Sequence, residues 1–219
     1  MKNLHNALQL KQLYLLKQLG YSYTDIMPSK LETESIEIPE DMISLQKVVS
    51  GCHLCELSKS RQQVVFGEGN ENADIMFIGG APSSTEDSTG KPFAGHAGEI
   101  LTKMIENVLH IPRPQVYIAN IIKCKPANNR APEESEAQTC RLFLQKQIEL
   151  IKPKIVVTLG DTAYLYLTND NSPISKIRGT VIQTDEYMIL PTFHPSYLLR
   201  NPSAKKETFS DLLKIKELL

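Results

Sequence analysis

Ile75-Met76-Phe77-Ile78-Gly79-Gly80-Ala81-Pro82-Ser83-Ser84-Thr85-Glu86-Asp87-Ser88-Thr89-Gly90-Lys91-Pro92-Phe93-Ala94-Gly95 is the stretch that decides the fold. Its apolar start runs straight into two glycines, which predicts a buried strand ending in a close backbone turn. Three further apolar runs lie outward from it, at Val116–Ile122, Ile155–Leu159 and Met188–Leu190, each bounded by Gly, Pro or polar residues. Helical patterns fill the gaps. Glu99–Leu109 sets Ile100, Leu101, Met104, Ile105, Val108 and Leu109 on one face. Glu133–Ile151 is a longer helix closed by Pro153, and Asp161–Leu167 follows Gly160 directly. Strands alternating with helices predict a parallel sheet covered on both faces. The expected class is α/β, a three-layer αβα sandwich around a short, mainly parallel four-stranded sheet.

In such sheets a ligand binds beyond the C-terminal strand ends. Three ends therefore carry the functional reading: Gly79–Gly80–Ala81–Pro82, Asn120 to Cys124, and Phe193–His194–Pro195–Ser196. The first is not a phosphate loop, because Gly90-Lys91 is followed by Pro rather than Ser or Thr.

The chain has 219 residues, enough for one well-filled α/β domain plus an appendage. Residues 1–50 read as an N-terminal helical extension and residues 51–219 as the core domain. The extension begins with an amphipathic helix over Met1–Gly20, carrying Leu4, Leu8, Leu13, Leu16 and Leu19. An acidic stretch then leads to a second short helical pattern at Asp41–Val49. This start is not expected to be a signal peptide. No apolar run approaches the ~18 residues of a membrane span, so the expected compartment is the cytoplasm and no membrane partner is expected. A net charge of −1 does not advertise nucleic acid. Basic residues do gather locally, at Lys123, Lys125 and Arg130 and at Arg200, Lys205 and Lys206.

The four cysteines form the pattern Cys52-x2-Cys55, then Cys124, then Cys140 after 15 further residues. Two disulfides do not suit a reducing cytosol. A C-x2-C loop brings two thiolates to one metal centre without strain. The second pair is split between a strand end and a helix, which widens the cage. Four-cysteine ligation at irregular spacing suits a [4Fe–4S] cluster, although spacing alone leaves zinc open. His53, inside the knuckle, reads as a surface residue.

Taken in order, C-x2-C, the G-x-x-P-x-x-x-E-D-x-x-G-x-P-F-x-G loop, N-I-x-K-C, the later cysteine and H-P-S resemble the iron–sulfur uracil-DNA glycosylases, family 4. The resemblance covers roughly residues 51–200. It departs at Gly80, where the family usually has Glu, and at Ser83, where it has Gly.

What the resemblance implies is hydrolysis of the N-glycosidic bond of deoxyuridine in DNA, with a [4Fe–4S] cluster on Cys52, Cys55, Cys124 and Cys140. It assigns uracil binding to Gly79, Gly80, Ala81, Phe93, Asn120 and His194. Phe93 would stack on the flipped base. The Asn120 carboxamide would accept from uracil N3–H and donate to O4, a pattern that cytosine reverses. His194 would donate toward O2 as charge develops, and Glu86 would crowd C5 and exclude a thymine methyl. Asn129 is the candidate to position water. In the loop Ser196, Leu198, Leu199 and Arg200, a leucine would fill the gap left by the flipped nucleotide. Arg200, Lys205, Lys206 and the basic residues around Cys124 would meet phosphates. Expected partners are uracil-containing DNA and a replication or repair protein bound through residues 1–50. The expected state is a monomer, cytoplasmic and nucleoid-associated. Three alternatives remain at this level: an inactive, cluster-stapled DNA-binding module, a glycosylase for another deaminated base, and a zinc-bound structural protein unrelated to DNA.

Overall fold

The computed structural model describes residues 38–219. The helix expected over Met1–Gly20 lies outside the described residues. The described body begins with α1 (Met42–Ser50), capped by Asp41, whose side chain accepts the N–H of Ser44. Helix α1 buries Met42, Leu45 and Val49 in the core. The packed body thus starts at Ile38 and the expected boundary at residue 50 falls inside it. The apolar spacing of 42, 45 and 49 is helical, and those side chains find their partners in the domain.

The chain continues through β1 (Glu68–Gly69), β2 (Ile75–Gly79), α2 (Ser84–Thr89) and α3 (His96–Met104). A π-helical turn over Ile105–Leu109 follows, then β3 (Tyr117–Asn120), α4 (Glu134–Ile151), β4 (Ile155–Leu159), α5 (Asp161–Thr168) and α6 (Ile174–Ile177). The remainder is β5 (Ile182–Gln183), β6 (Met188–Thr192), α7 (Pro195–Arg200) and α8 (Lys205–Leu218). Helix α4 starts where Glu133 and Glu136 form a reciprocal capping box, and it stops at Lys152, which is left-handed ahead of Pro153. Both signals are local, which is why this helix was legible in the sequence.

The sheet order is β1-β3-β2-β4-β6-β5. β3, β2, β4 and β6 are the four expected parallel strands. The sheet is larger than expected: two-residue strands β1 and β5 add antiparallel edges. Side chains alternate across it. Met76, Ile78, Ala119 and Val156 pack on one face with α1, α4 and α5. Ile75, Phe77, Ile118 and Val157 pack on the other with α3 and α8. The result is the three-layer arrangement, with all four parallel strand ends opening in one direction.

Candidate active site

Gly79 ends β2 in register with Asn120, which ends β3. The two strand ends lie so close that a Cβ on Gly79 would stand 2.3 Å from Asn120 Oδ1 and 2.8 Å from Phe93 Cζ. Only glycine lets the carboxamide and the phenyl ring share this corner. Phe93 holds a positive φ of 51°, a conformation that a bulky side chain rarely adopts. Its ring centroid lies 5.6 Å from that of His194. Asn120, Phe93 and His194 therefore converge around one strand end, although the sequence separates them widely.

Glu86 braces this corner. It sits in α2, whose N-cap Ser83 accepts the Glu86 N–H. Ser83 Oγ donates back to Glu86 Oε1 at 3.0 Å. Asn120 Nδ2 donates to Glu86 Oε2 at 3.2 Å. Burial pushes the Glu86 carboxyl above the usual carboxylate range, while bonds from Ser83, the Phe93 N–H and Asn120 oppose that rise. The observed partner of Glu86 is thus the Asn120 amide, which it holds with nitrogen toward itself. Ser83, which departs from the resemblance, supplies the cap and the second bond.

His194 caps α7, and Pro195 occupies the first helical position, where a missing N–H costs nothing. Nδ1 of His194 accepts the Ser196 N–H at 3.1 Å and lies 2.8 Å from Ser196 Oγ. With Nδ1 accepting, the ring proton belongs on Nε2. Burial, with Arg200 adding to it, pulls the His194 pKa down to about 4. At neutral pH this is an uncharged imidazole with one N–H to donate.

Gly80, Ala81, Asp161, Thr162, His194 and Arg200 line a cleft of about 310 Å³ beyond the strand ends. Asn120 and Phe93 do not line it; Asn120 is only 1% exposed and Phe93 is buried. Asn129 stands near the first turn of α2, where Ser84 Oγ donates to its Oδ1 at 3.4 Å.

The α7 loop divides otherwise than expected. Leu198 is 1% exposed and belongs to the core, so it is no wedge; Leu199 is 47% exposed. Helical geometry sends neighbours to different faces. Lys123 is also corrected: it is buried and does not face phosphates. Arg130 is engaged with Glu136 at 2.6 Å. Two residues with no sequence signal steady the third strand end. Asp211 accepts from Thr192 Oγ1 at 2.7 Å and from Arg178, and the Arg178 guanidinium lies over the Phe193 ring at 5.4 Å.

Cys52, Cys55, Cys124 and Cys140 line one small cavity together with Arg61 and Lys123. None is disulfide-bonded. Arg61 Nη1 donates to Cys124 Sγ at 3.2 Å. Burial pushes the Cys140 thiol up to about 12, with Lys123 opposing. Among the described residues no three His, Cys, Asp or Glu side chains are grouped to hold a single metal ion.

A three-layer α/β domain with Asn, Phe and a neutral His gathered at its parallel strand ends is the arrangement that the resemblance to the uracil-DNA glycosylases leads one to expect. The chain belongs to the uracil DNA glycosylase superfamily, whose sequence model matches residues 66–214. It is 43% identical over 188 residues to the type-4 uracil-DNA glycosylase of Sulfurisphaera tokodaii, covering 81% of this chain and 86% of that one. It is 42% identical over 175 residues to the type-4 uracil-DNA glycosylase of Thermotoga maritima, covering 78% and 91%. A type-5 uracil-DNA glycosylase of Pyrobaculum aerophilum is 27% identical over 164 residues, covering 67% and 72%.

Proposed function

We infer that this protein is a DNA-repair hydrolase that cuts the N-glycosidic bond of deoxyuridine in DNA, releasing uracil and leaving an abasic site. The observation that carries the reading is the convergence of Asn120 and Phe93 on Gly79, with the His194 ring 5.6 Å from that of Phe93. Glu86 fixes the Asn120 amide so that its oxygen is free to accept from uracil N3–H, while the second hydrogen on Nδ2 remains for O4. Phe93 stacks on the extruded base. Because Asn120 and Phe93 are buried, the base reaches them only with a local shift of the corner that covers them.

As the C1′–N1 bond breaks, its electron pair passes to uracil, and negative charge develops on O2. His194 Nε2–H meets that charge. A neutral donor suits the task, since it needs no proton of its own to be gained or lost. Water adds to C1′ and gives up a proton while the uracil anion takes one up from solvent; Asn129 is the residue proposed to hold that water. Gly80 and Ala81 offer main-chain N–H groups at the same turn. Glu86 acts by holding Asn120 and by filling space beside the base.

The four cysteines suit a [4Fe–4S] cluster. All four side chains line one cavity, and four-cysteine ligation at irregular spacing suits such a cluster. Bound there, it would tie the Cys52–Cys55 loop to the end of β3 and to α4, as a structural staple. Leu199, which is exposed, is the proposed wedge, and Arg200, which lines the cleft, would meet phosphates. Residues 1–50 are the proposed contact to a replication or repair protein, and the enzyme is proposed to act as a cytoplasmic, nucleoid-associated monomer. No helix among the described residues is long and apolar enough to cross a membrane.

The test incubates purified protein with an oligonucleotide carrying one uracil and then cleaves abasic sites with alkali. Strand cleavage at the uracil position is expected. Duplex binding without cleavage at stoichiometric protein would leave an inactive module instead.

A further inference from the structure

Lys123 lies between the base-reading strand end and the cysteine cavity. Its side chain is 1% exposed. Nζ donates to the Asn120 main-chain carbonyl at 2.9 Å and to Gln147 Oε1 at 2.6 Å. Gln147 is anchored in turn, donating to the Phe66 carbonyl at 3.0 Å and the Tyr117 hydroxyl at 3.1 Å. Both acceptors of Lys123 are neutral. Among the described residues no carboxylate stands at ion-pair distance from it. The other buried lysine, Lys146, meets two carboxylates, Glu40 and Glu149.

A buried ammonium without a counter-ion is costly, and hydrogen bonds to neutral groups offset only part of that cost. The missing negative charge stands on the other side of the side chain. Lys123 lines the cavity that the four cysteines ring, and it directly precedes Cys124 in the chain. Four thiolates around an iron–sulfur core leave that site net negative. Arg61 meets it at Cys124 from the partly buried rim, and Lys123 meets it from inside the fold.

We propose that Lys123 is the fixed counter-charge of the four-thiolate cluster and the strut that ties the cluster to the base reader through the Asn120 carbonyl. The inference rests on the cluster reading above. It would couple the cysteine site to uracil recognition. With the cluster bound, the ammonium is held and the end of β3 is clamped. Without the cluster Lys123 loses its counter-charge, and the clamp on Asn120 loosens. Lys123 is thus a positioning residue, and its removal should be felt first in cluster retention.

The test starts from full-length protein assayed for iron. Wild-type protein free of iron would overturn the cluster reading and this inference with it; the remaining outcomes bear on Lys123 alone. In iron-bearing protein, Lys123→Met should lose its iron–thiolate absorbance to a chelator roughly tenfold faster or more. A rate within about twofold of wild type would overturn the proposal. A second measurement needs no variant, so an insoluble Lys123→Met protein does not close the question. Hydrogen exchange of wild-type protein is followed before and after the cluster is bleached. Exchange across residues 117–123 should rise roughly tenfold, while α8 stays within about twofold. No rise there, or an equal rise in α8, would refute the strut.

Discussion

Gly79→Ala places one methyl group where the site has no room for it. The added Cβ would stand 2.3 Å from Asn120 Oδ1, 2.8 Å from Phe93 Cζ and 2.9 Å from Phe93 Cε2. An ordinary contact is about 3.3 Å or more, so relief moves the carboxamide oxygen by about 1 Å. Asn120 has little freedom to absorb that shift, because its nitrogen is held by Glu86 and its backbone is paired with Gly79. A displacement of about 1 Å at a positioning group costs on the order of 100-fold in rate, or about 2.7 kcal/mol. Overpacking should also lower stability by about 1–3 kcal/mol. Gly80→Ala is the matched control. Its Cβ would stand 2.9 Å from Thr162 Cγ2 and touches neither Asn120 nor Phe93. The assay is single-turnover uracil release from a labelled oligonucleotide, with thermal melts to confirm folding and binding to uracil-free DNA as a reference. The expected pattern is a loss on the order of 100-fold for Gly79→Ala and of about threefold at most for Gly80→Ala, with DNA binding preserved in both. A folded Gly79→Ala protein within about threefold of wild type, or equal losses in the two variants, would show that the corner does not control the chemistry.

Asn120→Asp replaces the amide nitrogen 3.2 Å from Glu86 Oε2 with an oxygen, so it opposes two carboxylates and removes the donor to uracil O4. Uracil release should fall about 100-fold or more, and a rate close to wild type in the same oligonucleotide assay would refute the reader role. His194 has a pKa of about 4 in the folded protein against an ordinary value of 6.5. The unfolded chain then binds the extra proton between those values, so stability tied to the neutral ring is full above pH 6.5 and is lost as pH falls toward 4. The thermal-melt advantage of wild type over His194→Gln should therefore shrink between pH 7 and 5, by no more than about 2 kcal/mol; an advantage that grows on acidification would contradict the buried neutral tautomer. Leu198→Ala should cost about 2–5 kcal/mol of stability, whereas Leu199→Ala should leave stability within about 0.5 kcal/mol and slow excision from duplex more than from single-stranded DNA. Equal stability losses would return both leucines to the core.

Much of the site was legible because its signals are local. The run Ile75–Ile78 before Gly79, the Asn120 strand end, the Pro195 after His194 and the C-x2-C knuckle are each readable within a few residues. The two edge strands were not, since Glu68–Gly69 and Ile182–Gln183 are too short to show a period. Leu198 and Leu199 look alike in sequence, and only packing against the sheet separates core from surface. Lys123 reads as one more basic loop residue beside Lys125 until the fold closes over it.

By itself the sequence determined the strand-and-helix alternation, the strand ends that carry chemistry and the four cysteines, because periodicity and turn chemistry act between near neighbours. Tertiary structure alone decided the partners. It set the Asn120 nitrogen on Glu86 and left Lys123 buried between the reader and the thiols, with no carboxylate at ion-pair distance among the described residues. Burial and charge pairing are properties of the assembled layers, and residues far apart in the chain acquire them only when the sheet brings their strand ends together.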